Sequence, residues 1–448
     1  MPTICLFTRD LRVHDQPVLR GAAEGAEDGQ VVPLFVVDDA MRGFRVPNRA
    51  RFLAESLADL DAGLRAAGAR LVVRWGDVVE EVRTLAGEVG ASAVHVAGDV
   101  SAYAGRRRKA LEKALGDDDR ELVVHDAVVT VVSPGTVTPT SGDHFKIFTP
   151  YHRKWADVET REPLDPPTDL TLPTKVRAGS VPEAEDLADG DTAPGLMPGG
   201  EGAARERLQD WLDHIDDYAE GQDLPARDAT SRLSPYLHFG CVSPTEIARR
   251  AGTSSEAAAQ FVRQLAWRDF HHQTLAAVPR ASAEDYRDRG DRWRRDDEEF
   301  AAWAEGRTGV PIVDAGMRQL HHEGWMHNRL RLITGSFLAK SLYLDWRLGA
   351  RHFLDHLVDG DVANNQMNWQ WVAGTGTDTR PNRVLNPITQ AKRYDPDGEY
   401  VRHWVPELAE LEGARIHEPW KQSGEFDYPA PVVDLDEAGS AFRAARGA

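Results

Sequence analysis

Trp325, Met326, His327, Asn328 and Arg329 stand in one run, followed by Asp359, Asp361, Asn364 and Asn365 and then by Trp369, Gln370 and Trp371. No hydrolytic triad or metal cluster competes for the same region of the sequence. Carboxamides and an Arg/Asp pair can hold a planar, hydrogen-bonding cofactor, and indoles can stack on bases or relay single electrons. These residue types point to redox chemistry on a flat ligand.

Such side chains need a rigid frame, and the first part of the chain reads as alternating strand and helix. Apolar, β-branched runs occupy Thr3–Thr8, Gln30–Val37, Arg70–Trp75, Ala93–Ala97 and Glu121–His125. Between the later ones lie amphipathic patterns near 50–67, 76–90 and 101–116. Near-continuous apolar strands separated by helices predict a parallel sheet covered on both faces, a doubly wound α/β domain over 1–130. Ligands of that fold lie outside the carboxyl ends of the strands. The first strand runs into Thr8, Arg9 and Asp10 rather than GxGxxG, which disfavours a dinucleotide site of the usual kind there.

From 131 to 200 the periodicity gives way to linker composition, as in Ser133-Pro134-Gly135 and Pro163-Leu164-Asp165-Pro166-Pro167. One aromatic, basic island, Phe145 to Trp155, is expected to pack against a domain. From 201 to 448 the pattern is helical, beginning at Ala203–Tyr218, and predicts an all-helical domain.

Composition bounds the function. At 448 residues, 41% hydrophobic and 28% charged, the chain has the make-up of a globular enzyme. No apolar run reaches the roughly 18–20 residues a membrane span needs. The N-terminus is charged too soon for a signal peptide. Cys5 and Cys241 lack metal-ligand spacing, so no metal centre is expected. A cytoplasmic, monomeric protein follows as the expectation. The net charge of −19 argues against nucleic-acid binding as a whole. Locally, Arg329, Arg331, Lys340, Arg347 and Arg351, then Arg380, Arg383, Lys392, Arg393 and Arg402, read equally as scattered solvated charges or as one basic face.

At this point the chain resembles the photolyase/cryptochrome family, within it the bacterial class I photolyases of cyclobutane pyrimidine dimers. The resemblance runs through Phe7-Thr8-Arg9-Asp10-Leu11-Arg12, Thr230-Ser231-Arg232-Leu233-Ser234-Pro235 and Trp267-Arg268-Asp269-Phe270. It continues through Thr308–Asp314 and Gly324–Arg329 to Trp369–Asp378. It implies an antenna domain joined by a long linker to a helical FAD domain, light-driven splitting of dimers in UV-damaged DNA, and the following roles. Tyr218 and Thr230, Ser231, Arg232, Leu233 and Ser234 would hold the FAD phosphates; by sequence alone that segment also reads as a helix N-cap. Arg331 and Asp359 would pair beside the flavin ring, with Asp361 near it and Asn365 facing N5. On bare sequence Arg331/Asp359 reads as an ordinary buried pair. Trp369, Trp346 and Trp293 would carry electrons from the flavin outward, although twelve tryptophans are mostly core filler without the resemblance. Trp267 and Trp371 would stack on the flipped-out dimer. Arg329, Arg383 and Arg393 would contact phosphates.

Two positions depart from the family pattern. Gln264 stands where dimer-type enzymes usually carry Glu, and Leu332 where they usually carry Met. Asn328, by contrast, is the dimer-type residue where (6-4) enzymes carry His. Phe35, Arg49 and Asp99 match residues that hold 8-hydroxy-5-deazaflavin in related photolyases; methenyltetrahydrofolate, or no antenna, is the alternative. A cryptochrome-like light receptor is the competing function. Signalling relatives often have a long C-terminal extension, whereas this chain ends shortly after Trp420, which favours the enzyme.

Overall fold

The computed structural model describes residues 1–174, 176–424 and 426–447. All five expected strands form: β1 (Thr3–Phe7), β2 (Val31–Asp38), β3 (Val72–Gly76), β4 (Ala93–Ala97) and β5 (Glu121–His125). They make one parallel sheet in the order β3-β2-β1-β4-β5, with Thr3 level with Val31 on one side and Ala93 on the other. Burial explains their apolar sequences: β1 and β2 are buried at every position, and Ile4, Leu6, Val32, Leu34 and Val94 join one core. The strand order reverses between β1 and β4, and their carboxyl ends open there onto loops carrying Arg9 and Asp99.

Helices α2 (Pro47–Ala66), α3 (Val78–Val89) and α4 (Ala102–Gly116) match the expected patterns. Their starts follow from local chemistry. Pro47 opens α2, and Asp77 and Ser101 cap α3 and α4 by accepting from Val79 N and Ala104 N. A further helix, α1 (Pro17–Gly25), lies where sequence reading placed none; Gln16 caps it by accepting from Val18 N. The aromatic island becomes α5 (Phe148–Ala156). Helix α6 (Glu201–Asp213) stops short of the expected Tyr218, which begins a separate short turn.

The chain divides into two compact units. The first is Met1–Thr192, Met197–Ile215 and Ser231–Pro279; the second is Ala193–Leu196, Asp216–Thr230 and Arg280–Ala448. The first unit therefore holds the sheet together with α7 (Ser234–Phe239) and the long α8 (Glu256–Ala277). Gly240, ending α7 at φ 71°, approaches the backbone of Arg9 and Asp10 more closely than any Cβ allows. Leu11 N donates to Phe239 O at 3.1 Å beside it. That contact holds the loop leaving β1.

The second unit is helical. Its site-bearing helices are α9 (Pro311–Glu323), α10 (Asn328–Ser336), α11 (Trp346–His356), α12 (Val362–Ala373) and α13 (Pro387–Tyr394). Its core includes Trp303, Ile333, Phe337, Trp346, Phe353 and Trp369. Among the described residues no helix is long and apolar enough to cross a membrane.

Candidate functional site

In the second unit, α10 and the start of α12 build a polar wall inside an apolar core. Arg331 Nη2 donates to Asp359 Oδ2 at 2.7 Å, and its Nε donates to Met326 O at 2.9 Å. Asp359 is 7% exposed, and its other oxygen, Oδ1, is buried with no hydrogen-bond partner among the described residues. A buried carboxylate oxygen left in that state costs about 1–3 kcal/mol or more unless a ligand satisfies it. Asp361 caps α12 by accepting from Asn364 N and Asn364 Nδ2, at 2.8 and 2.9 Å.

One turn into α12, Asn365 is nearly buried and donates through Nδ2 to Ala350 O at 3.0 Å. With the amide nitrogen fixed, Oδ1 remains to accept a proton-bearing group. Trp369 Nε1 is buried with no partner among the described residues. These polar atoms suit a planar, hydrogen-bonding heterocycle such as a flavin.

The three tryptophans occupy different depths. Trp369 is buried, edge-to-face with Phe353 (5.0 Å) and Trp303 (6.0 Å). Trp346 is fully buried; its Nε1 donates to Asp285 Oδ1 at 2.9 Å, and Arg347 lies 4.7 Å from its ring centre. Trp293 is only partly buried, against Tyr343 at 5.2 Å. Sequence reading missed Trp303; a helical pattern gives no sign of which distant ring it will touch.

The two alternatives for the basic residues resolve one by one. Arg329 pairs with Asp223 at 2.5 Å and lies over the Tyr394 ring at 4.2 Å. Arg347 pairs with Asp285 and Asp345, and Arg351 with Asp355. Lys340 is no surface charge: it is 1% exposed and donates to the carbonyls of Pro381 and Arg383 at 2.8 and 2.7 Å. Burial, then Arg446, pulls its amine down to about 7. Arg383 and Arg393 are exposed, over the rings of Trp371 (5.3 Å) and Tyr394 (5.1 Å). Asn328 is exposed at the start of α10, and Leu332, one turn on, packs against the core.

In the first unit, Trp267 on α8 is half-buried and stacks flat on Phe148 of α5, 3.7 Å between centres and 7° between planes. Arg263 extends the pile at 5.0 Å from Phe148. The aromatic island thus packs against α8, and Phe148 joins the site candidates. Asp269 Oδ2 anchors the arrangement by accepting from Val132 N (2.8 Å) and Trp155 Nε1 (2.9 Å). Gln264 is exposed one turn before Trp267.

Among the flavin-phosphate candidates, Tyr218 is buried and Thr230 half-buried. Ser231 Oγ accepts from Leu233 N at 3.3 Å. Arg232 takes a positive φ of 51° and Leu233 a right-handed backbone, so the chain turns sharply just before α7. Leu233, the residue before Ser234, makes no side-chain capping bond of its own.

At the carboxyl ends of β4 and β5 lies a cavity of about 520 Å³, walled by Asp99, Ser101, Arg107, Asp126, Thr130 and His272 among others. Burial opposes the Asp99 charge, but Arg9, then His272, hold its carboxyl below the usual carboxylate range. Phe35 on β2 and Arg49 on α2 lie outside this lining, and Arg49 donates to Phe44 O at 2.8 Å.

A parallel-sheet unit with a cavity at its strand ends and a helical unit with a polar wall suited to a flavin define a class of flavoprotein. Residues 3–169 match the family DNA photolyase, and 261–447 match the FAD binding domain of DNA photolyase. The chain is 58% identical to the deoxyribodipyrimidine photo-lyase of Streptomyces griseus, covering 99% of each. Its fold is similar to a class III photolyase from Agrobacterium tumefaciens (TM-score 0.93, 35% identity, 100% of this chain and 97% of that one). It is also similar to a Synechocystis cryptochrome (TM-score 0.91, 29%, 99% of each). The chain belongs to the DNA photolyase family, and its cofactor is FAD.

Proposed function

We propose that this protein is a deoxyribodipyrimidine photo-lyase that splits cyclobutane pyrimidine dimers in UV-damaged DNA under blue light. The reading rests on the full-length 58% identity to an enzyme of that name, and the polar wall around Arg331, Asp359 and Asn365 suits the cofactor it needs. When bound and reduced, FAD supplies on excitation the single electron that opens the cyclobutane ring and takes it back afterwards.

Every other role belongs to the chain. Tyr218, Thr230, Ser231, Arg232, Leu233 and Ser234 would hold the pyrophosphate through hydroxyls and backbone N–H groups. Arg331 and Asp359 would orient a bound flavin ring, with Asp359 Oδ1 available to accept from it, and Asp361 fixes the start of the helix that carries Asn365. Asn365 would face N5, where its Oδ1 could accept the N5 proton and so tune the redox state. Trp369, Trp346 and Trp293 would relay electrons from the surface toward a bound FAD. Trp267, backed by Phe148, and Trp371 stack on the flipped dimer, worth roughly 1–3 kcal/mol per base. Gln264, Asn328 and Leu332 line the lesion, while Arg383 and Arg393 contact flanking phosphates. Arg329, already matched by Asp223, positions Tyr394 more than it neutralises DNA.

The proposed division is antenna domain 1–130, linker 131–200 and FAD/lesion domain 201–448, acting as a cytoplasmic monomer. For the second chromophore we propose the class I arrangement with 8-hydroxy-5-deazaflavin at Phe35, Arg49 and Asp99, because a guanidinium and a buried carboxylate suit its polar ring; methenyltetrahydrofolate is the alternative. A cryptochrome-like role is the second reading, favoured by Gln264 and Leu332. Defined oligonucleotides carrying a cyclobutane dimer or a (6-4) product, illuminated with the reduced protein, discriminate. Repair of the first alone is expected. Repair of the (6-4) product, or of neither, contradicts the assignment.

A further inference from the structure

Three histidines converge in the second unit. His352 and His356 stand one turn apart on α11, His321 reaches them from α9, and one ligand nitrogen of each lies within 4.8 Å of the others. Helical i,i+4 spacing is what sets two imidazoles on one face. His321 and His356 each have a second nitrogen engaged. His321 Nε2 donates to Ala304 O at 2.7 Å, and His356 Nδ1 donates to His352 O at 2.9 Å. A carbonyl only accepts, so each of these rings is held in the tautomer whose other nitrogen, Nδ1 of His321 and Nε2 of His356, carries the lone pair. His352 Nε2 is buried with no hydrogen-bond partner among the described residues.

We propose that His321, His352 and His356 form a three-imidazole site for a divalent transition-metal ion of the zinc type. Three neutral imidazoles leaving a fourth position for solvent is a coordination set that zinc accepts, and ring N–H groups anchored on carbonyls are the usual outer support of metal-bound histidines. All three residues are half-buried, so an ion reaches them from solvent. The site joins α9 to α11, the helix that carries Trp346. It is also close to the flavin's proximal tryptophan, since the His352 ring is 5.4 Å from that of Trp303, itself 6.0 Å from Trp369.

The test uses the full-length, FAD-loaded protein without an affinity tag, stripped of metal by a chelator and titrated with Zn²⁺ or Co²⁺. One equivalent is expected to bind, with Zn²⁺ raising Tm and Co²⁺ giving the intense visible bands of a tetrahedral site. His321→Gln combined with His356→Gln is expected to weaken binding at least tenfold and abolish the bands, and His321→Gln alone to weaken it in the same direction. The exposed control His403→Gln leaves both unchanged. Parent binding no tighter than the double variant's, or Co²⁺ bands that persist in either histidine variant, overturns the proposal. Should the double variant fail to fold, the single variant and the parent stoichiometry decide.

Discussion

The α-carbon of Gly349 on α11 faces the Trp369 indole on α12 so closely that a methyl group at 349 would overlap the ring. Trp369 is also packed by Phe353 from the same helix, so the indole has little room to retreat. Gly349→Ala should therefore cost about 1–3 kcal/mol of overpacking, offset in part by roughly 1 kcal/mol of helix propensity. The expected outcome is a lower Tm together with slower photoreduction of oxidised FAD. Trp369→Phe provides the reference: photoreduction blocked, repair by chemically prereduced enzyme nearly intact. Normal photoreduction in Trp369→Phe would remove that residue from the electron path.

Exposed and internally paired arginines should separate in DNA binding. Arg383→Ala and Arg393→Ala should each weaken binding to lesion DNA and lower the magnitude of the salt slope by about 1, one phosphate contact apiece. Arg329→Ala removes a charge already matched by Asp223 and should change the slope less. Binding titrations over a series of salt concentrations read this directly. An unchanged slope in Arg383→Ala would show that this arginine is not a phosphate ligand.

Lys340 makes stability depend on pH. Burial first, then Arg446, against an opposing pull from Asp378, lowers its pKa to about 7, whereas the unfolded chain restores the ordinary lysine value near 10.4. Between those values the unfolded state binds the extra proton, so stability rises with pH, by up to about 1.4 kcal/mol per unit. Below pH 7 the full cost of the buried charge remains. Denaturant melts at pH 7, 8 and 9 are expected to show this rise in the parent and a flatter profile in Lys340→Met. Parallel profiles would assign the pH dependence elsewhere.

Gln264 stands exposed on α8, one turn before Trp267. An amide donates and accepts hydrogen bonds to thymine edges, whereas a carboxylate accepts stronger, charge-assisted ones. With Trp267, Asn328 and Trp371 all present, Gln264→Glu together with Leu332→Met should change the rate of dimer repair by less than tenfold, about 1.4 kcal/mol of barrier. A gain beyond tenfold would favour the cryptochrome-like reading.

The sheet was legible because strands buried on both faces must be apolar throughout; α1 was missed because nine residues leave little room for a helical period to declare itself. The Arg331–Asp359 pair was legible from the motifs that carry it, and it forms. What sequence cannot display is the distant partner. Nothing near Arg329 or Arg347 announces Asp223 or Asp285, and nothing near Trp267 announces Phe148. The same blindness hid Lys340, whose charge reads as surface until its two carbonyl acceptors close around it.

The most direct measurement follows an oligonucleotide with one cyclobutane thymine dimer, incubated with the FAD-loaded, reduced protein in blue light and, in a matched sample, in the dark. Intact thymines are expected to appear in the light, with many turnovers per protein, and none in the dark. Binding of the lesion and ordinary flavin photoreduction without any loss of dimer in the light would contradict it.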